Sequence, residues 1–238
     1  MSAPPCHVLV TRPEGQQHAL CALLVEAGFQ VSYQPALAIT PRTLSTAEQQ
    51  CLINIDQYHA VFFVSSNAAR LALEHLGQWW PQWPLGVHWL AVGDASAALL
   101  QDAGLPVQTP SEGADSEALL ALPCLQQLEH QRVLVCRGET GRELFTETLV
   151  SRGATVELLP LYQRHCYAGF VWPATPVSML LVSSLQGWQC MVSQVPDDCR
   201  IIVASERIAE TVRHTHGHVW VAESAHDRHM LKAALQIR

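Results

Sequence analysis

Apolar positions occur along the chain in short runs, and the spacing between them alternates between the two-residue period of a strand and the three-to-four-residue period of a helix. The first run, Val8-Leu9-Val10, leads into Thr11-Arg12-Pro13-Glu14. Ala19, Leu20, Leu23 and Leu24 follow at helical spacing, then Gly28 and an alternating stretch from Val31 to Leu37. This predicts strand, helix, strand. A second unit begins with Val61-Phe62-Phe63-Val64, which runs through Ser65-Ser66-Asn67 into a helical pattern. A third begins with Trp89-Leu90-Ala91-Val92, opens its helix at Gly93-Asp94-Ala95-Ser96 and ends in a strand at Val107.

The same three units are written again. A shift of 125 positions sets Val133-Leu134-Val135, Arg137, Glu139, Gly153, Val156 and Pro160 against Val8-Leu9-Val10, Arg12, Glu14, Gly28, Val31 and Pro35 without a gap. Met179-Leu180-Leu181-Val182-Ser183-Ser184 answers the second unit. Ile201-Ile202-Val203-Ala204-Ser205-Glu206-Arg207, its helix and Val219-Trp220-Val221 answer the third. Strands alternating with helices imply parallel sheets covered on both faces, with ligands bound beyond the carboxyl ends of the strands. The predicted fold is therefore α/β, two similar doubly wound parallel-sheet domains with a cleft between them. Each domain could be a contiguous trio of units, or the trios could be exchanged along the chain, since spacing fits both. The extended continuations Ala36–Thr40 and Leu161–His165 hint that the chain crosses there. Pro41–Asp56 and Ala168–Pro176 read as linkers, and Trp79–Pro84 as a turn-rich loop.

Composition narrows the function. Hydrophobic residues make up 49% of the 238 positions, enough for ordinary cores. Charged residues are only 15% and the net charge is -7, so no broad basic field exists to hold nucleic acid or an anionic bilayer. An anionic ligand must then be held by local devices. The eight cysteines are scattered without a CxxC pair, most of them in apolar runs, which points to a reducing compartment. The short Pro-rich start, Met1–Cys6, lacks the pattern of an export signal, and no apolar run approaches the ~20 residues of a membrane span. The expected location is the cytoplasm.

Candidate chemistry gathers at the strand-to-helix turns. Neither Thr11-Arg12-Pro13-Glu14-Gly15 nor Cys136-Arg137-Gly138-Glu139-Thr140-Gly141 matches GxGxxG or a P-loop, which removes support for a nucleotide. Arg12 and Arg137 stand either as anion binders beside helix N-termini or as surface arginines paired with a nearby Glu. Ser65, Ser66 and Asn67, and Ser183 and Ser184, are helix caps or parts of an anion site. Gly93, Asp94 and Ser96, and Ser205 and Arg207, occupy a third such turn in each half. His214, His216 and His218 alternate as metal ligands on a strand would, but no cysteine or carboxylate completes a site, and a polar turn before Val219 is the plainer reading. GxSxG is absent and no cysteine has a nucleophile context, which argues against covalent hydrolysis. Tyr162, just past Leu159-Pro160-Leu161, is an edge tyrosine with its hydroxyl in water or, in a cleft, a donor to a leaving oxygen.

With these residues in place the chain resembles the uroporphyrinogen-III synthases over nearly its whole length. The resemblance is carried by Val10-Thr11-Arg12-Pro13, Phe63-Val64-Ser65-Ser66-Asn67-Ala68, Ala91-Val92-Gly93, Leu159-Pro160-Leu161-Tyr162 and Val203-Ala204-Ser205-Glu206-Arg207. It implies the exchanged threading: residues 1–36 with 169–238 as one domain, 42–161 as the other, and 37–41 and 162–168 as two extended linker strands. It also implies the reaction. Hydroxymethylbilane, a linear tetrapyrrole, loses its hydroxyl, ring D is inverted through a spiro intermediate, and the macrocycle closes, with no cofactor or metal. Tyr162 matches the residue thought to assist hydroxyl loss. The turns named above would hold the substrate's carboxylates through backbone N–H groups, which explains how an acidic protein takes an acidic ligand. At Glu206-Arg207 the chain departs from the hydroxyl residues many relatives carry. A monomer is expected, in transient contact with the enzyme that supplies the bilane. The competing readings are a non-catalytic cytosolic binding protein for a small anion and a nucleotide-sugar glycosyltransferase, the latter lacking a nucleotide contact.

Overall fold

The computed structural model describes residues 6–110, 116–141 and 143–238. The Pro-rich start before Cys6 lies outside them. In chain order the elements are β1 (His7–Val10), α1 (His18–Glu26), β2 (Gln30–Tyr33), β3 (Leu37–Pro41), α2 (Thr46–Ile53), β4 (Ala60–Phe63) and α3 (Ser66–Trp79). Then come β5 (His88–Ala91), α4 (Asp94–Asp102), β6 (Val107–Gln108), α5 (Ser116–Leu119), β7 (Arg132–Gly138), α6 (Leu144–Ser151) and β8 (Thr155–Cys166). The last third holds β9 (Met179–Val182), α7 (Leu185–Met191), β10 (Arg200–Val203), α8 (Glu206–Arg213), β11 (Val219–Val221) and α9 (Asp227–Gln236).

These elements form two compact units, one of Met1–Ile39 with Arg164–Arg238 and one of Thr40–Gln163. In the first, the strand order is β11-β10-β9-β1-β2. Every described pairing is parallel, with Val8 opposite both Val31 and Met179, and Ile202 opposite both Leu181 and Trp220. The amino-terminal strands thus share a sheet with the carboxyl-terminal ones. β1 and β9 are buried at every position because helices cover both faces, which is why they read as unbroken apolar runs. Leu20 and Leu24 of α1, Trp188 of α7, Ile208 and Val212 of α8 and Met230 of α9 complete that core.

The second unit carries a six-stranded sheet in the order β3-β8-β7-β4-β5-β6. Its described pairings are likewise parallel, with Phe62 opposite Leu90 and Val135, and Val135 opposite Leu158. Between Arg137 and Gly138 the β7–β8 register slips: Arg137 faces Pro160 but Gly138 faces Tyr162. Phe62, Leu90, Val133, Val135, Phe145 and Leu149 form part of its core.

Three expectations change. The alternating run Val31–Leu37 is not one strand but two, β2 and β3, placed in different sheets. The chain stays beside the end of β1 through Gln34 and Ala36, whose N–H groups bond the Val10 and Thr11 carbonyls, and then leaves this sheet for the other. The stretch read as a linker at Pro41–Asp56 contains α2, opened by a capping box in which Ser45 and Glu48 exchange side-chain-to-backbone bonds. Finally, two of the eight cysteines are joined: Cys166, at the end of β8, is disulfide-bonded to Cys190 on α7, both in the first unit. Residues 24 apart in sequence on separate elements give no CxxC signal. Among the described residues no helix is long and apolar enough to cross a membrane.

Candidate functional site

The second unit brings several of the sequence-selected residues toward the carboxyl ends of its strands. β4 ends at Phe63 and the chain passes through Val64 to Ser65, the extended N-cap of α3. The Ser65 hydroxyl accepts the Ala68 N–H at 3.2 Å, the ordinary cap. The same oxygen lies 3.1 Å from the Tyr162 hydroxyl, across 97 residues of sequence. Tyr162 is 4% exposed, so the watery edge position considered for it is not the one it takes. It sits in the last part of β8, where its carbonyl accepts the Glu139 N–H at 2.8 Å. Ser66 and Asn67 form the first turn of α3 beside this pair.

Arg137 is the penultimate residue of β7 and is 6% exposed. Its Nε donates to the Gly138 carbonyl at 3.2 Å. Among the described residues no acceptor or carboxylate takes its Nη1 and Nη2 hydrogens. Gly141 makes room for the group: a Cβ there would fall 2.5 Å from Nη2. Gly138 makes room for the tyrosine, since a Cβ there would fall 2.8 Å from Cε2 of Tyr162. Both glycines stand out in the sequence, Gly138 at the end of β7 and Gly141 in the turn after it, but nothing there says what they accommodate.

The remaining turns differ. Gly93, with φ of 80°, is the N-cap of α4 in the left-handed region that suits glycine. Ser96, the third residue of that helix, is buried at 3% exposure. In the first unit Arg12 takes the structural alternative considered for it. Its Nη1 is ion-paired to Asp227 of α9, its Nη2 donates to the Ala225 carbonyl at 2.6 Å, and its Nε donates to the Ser183 hydroxyl at 3.3 Å. Sequence reasoning sought the partner in a nearby Glu and missed Asp227, which is 215 positions away. Ser184 caps α7 by accepting the Gly187 N–H at 3.0 Å. Ser205 is the N-cap of α8 without a side-chain cap bond, and Arg207 is exposed on that helix.

Among the described residues, neither a reactive thiolate at a buried cysteine nor a three-ligand metal site is present. Burial pushes the Cys136 thiol far up, aided by Cys51, and the Cys199 thiol up to about 12, so neither supplies a thiolate near neutrality. No group of three His, Cys, Asp or Glu side chains is placed to hold a metal. The stretch from His214 to His218 is the turn before β11, exposed at His214 and His218, and within it His216 is buried. Its ring meets the edge of Trp188 at 5.0 Å, and its Nε2 lies 3.3 Å from the Val195 carbonyl.

Comparison with known proteins decides the family. Residues 18–232 match the family profile described as Uroporphyrinogen-III synthase HemD. The chain belongs to the uroporphyrinogen-III synthase family. It is 32% identical to the uroporphyrinogen-III synthase of Salmonella typhimurium, over 95% of this chain and 98% of that one. It is 31% identical to the Escherichia coli uroporphyrinogen-III synthase, with the same coverage. The fold agrees with solved structures of the family. One is the uroporphyrinogen-III synthetase of Helicobacter pylori, with a TM-score of 0.67, 13% identity, 98% of this chain and all of that one covered. Another is a mutant uroporphyrinogen III synthase from Thermus thermophilus, with a TM-score of 0.60, 18% identity and the same coverage. In the second unit the chemically capable groups are a buried phenol, the serine hydroxyl it meets and a guanidinium whose Nη hydrogens no described residue takes.

Proposed function

We propose that this chain cyclises hydroxymethylbilane to uroporphyrinogen III with inversion of ring D and loss of water, in the cytoplasm and as a step of tetrapyrrole biosynthesis. The observation that carries the chemistry is the meeting of Tyr162 and Ser65 at 3.1 Å in a buried setting. A serine oxygen has one hydrogen and two lone pairs, and one lone pair already takes the Ala68 N–H. If Ser65 turns its hydrogen to Tyr162, the phenolic proton is free to point at a substrate. Tyr162 then gives that proton to the departing hydroxyl, which leaves as water. The electrophilic methylene left behind is attacked by ring D, passing through the spiro intermediate, and the proton released as the macrocycle closes restores the phenol.

The substrate is flexible and carries many carboxylates, so holding its ends together is the larger share of the work. Arg137 supplies a guanidinium whose Nη hydrogens no described residue takes, and the first turns of α3, at Ser66 and Asn67, and of α4, after Gly93, supply backbone N–H groups. On the first unit the first turn of α8, opened by Ser205 and carrying Arg207, offers the same kind of donor. Arg12, Ser183 and Ser184 are better read as holding that unit's own turns, because their hydrogen bonds are internal to it. The test is to supply hydroxymethylbilane and identify the cyclic isomer. The type III product is expected, whereas type I, the outcome of spontaneous closure, would reject the reading. Tyr162→Phe is expected to slow closure by about 10²–10⁴-fold, the usual worth of a positioned acid. Unchanged turnover would remove its role.

A further inference from the structure

Gly138 is absent from the set of glycines in the left-handed region, so its backbone conformation does not call for glycine. What calls for it is the ring of Tyr162. A Cβ on residue 138 would lie 2.8 Å from Cε2, 2.9 Å from Cζ and 3.3 Å from Cδ2, with the hydroxyl-bearing carbon among the atoms displaced. The ring therefore lies against a bare Cα. The register slip makes this contact possible: beyond Arg137, β7 skips Leu161 and sets Gly138 opposite Tyr162. The Glu139 N–H to Tyr162 carbonyl bond, 2.8 Å, fixes the backbone at that level, so the ring cannot retreat by sliding the strand. At its far end the hydroxyl meets Ser65, whose own position is set by the Ala68 N–H.

We infer that Gly138 is a positioning residue for the cyclisation, acting through Tyr162: its missing side chain is the seat that sets where the phenolic oxygen stands relative to Ser65. The inference rests on the assignment of Tyr162 as proton donor. A methyl group at 138 must push the ring by roughly 0.6 Å to restore ordinary contact, and a displacement near 1 Å can cost about 10²-fold in a positioned reaction.

The experiment is a double-mutant cycle on turnover of hydroxymethylbilane to the type III product. Gly138→Ala is expected to lower kcat by about 10–100-fold with KM within about threefold, because the substrate's carboxylates are held elsewhere. In the Tyr162→Phe background the same change should cost less than about twofold, since no hydroxyl remains to be misplaced. Equal losses in both backgrounds, or a Gly138→Ala enzyme with normal kcat, overturn the inference while leaving Tyr162 as the donor. A silent Tyr162→Phe overturns the parent assignment, and this one with it. Should Gly138→Ala alone not fold, the cycle is read in thermal unfolding with Tyr162→Ala. Removing the ring should then let Gly138→Ala fold with the midpoint of Tyr162→Ala alone, and failure of that rescue overturns the seat.

Discussion

Replacing Arg137 by Met separates a binding arginine from a structural one, because the two roles predict opposite signs. The side chain is 6% exposed, its Nε bonds the Gly138 carbonyl, and no described carboxylate pairs with it. Without ligand, a buried charge lacking a partner is a net cost to the fold. An apolar side chain of similar volume in place of buried ionic groups is often neutral or stabilising by about 1–4 kcal/mol. Loss of the Nε bond returns about 1 kcal/mol of that. The net change in the ligand-free protein therefore runs from about -1 to about +3 kcal/mol, with each kcal/mol worth about 2–4 °C for a protein this size. Against a carboxylated substrate the sign reverses. A hydrogen bond to a charged group is worth about 1.5–3 kcal/mol, which at 1.4 kcal/mol per decade is roughly a 10–140-fold weaker apparent affinity. Scanning calorimetry of the free protein and the KM for hydroxymethylbilane measure the two halves. An Arg137→Met protein that unfolds earlier by more than about 1 kcal/mol while keeping its KM would refute the reasoning and make Arg137 a structural prop.

Two predictions concern stability. The Cys166–Cys190 bond closes a loop across 24 positions, which the loop-entropy relation values at about 3.5 kcal/mol; Cys166→Ser or a reductant should lower the urea midpoint of the first unit. An identical midpoint with and without dithiothreitol would show that the bond contributes nothing. The His88 pKa is held below the ordinary 6.5 by burial and then by the neighbouring His59 ring, 4.8 Å away. A depressed folded pKa means the unfolded chain binds the proton first. Stability is fully present above about 6.5 and falls as pH drops below it toward the folded value. His88→Gln should flatten that slope in urea titrations of the second unit, and an unchanged slope would assign the acid sensitivity elsewhere.

The layering was readable because buried parallel strands cannot hide: Val8-Leu9-Val10, Val61-Phe62-Phe63 and Ile201-Ile202-Val203 have helices on both faces and so must be apolar throughout. Boundaries were less readable where a local signal competed with a tertiary one. Val31 to Leu37 alternates like a single strand, yet the chain leaves the first sheet after Ala36, and which sheet takes it afterward depends on partners far away in sequence. Ser45 and Glu48 did announce α2 through their spacing, but the flanking Pro41 and the scarcity of apolar residues made the segment look like a linker. His216 shows the converse: nothing in a His-x-His-x-His run reveals that Trp188 will bury its middle ring.

The site was legible as a set of residue types and illegible as a geometry. Ser65 and Tyr162 each stand at a strand end that the pattern identifies, but their meeting depends on β8 lying two strands from β4 and on a one-residue register slip that no periodicity encodes. Arg12 and Arg137 make the point more sharply, for the 125-residue shift superposes them and leaves both with the same two roles open, anion binder or ion-paired arginine. Their surroundings separate them. α9 brings Asp227 against Arg12, and the Ala225 carbonyl and Ser183 hydroxyl take further hydrogens, so that guanidinium is consumed in joining three loops of its own unit. Arg137 has a bare glycine beside it where Arg12 has a carboxylate. A charge can be matched by its own fold or left for a ligand, and the two states carry opposite consequences for stability. The free hydrogens of a buried arginine are accordingly better evidence of a binding role than its place in a repeated pattern.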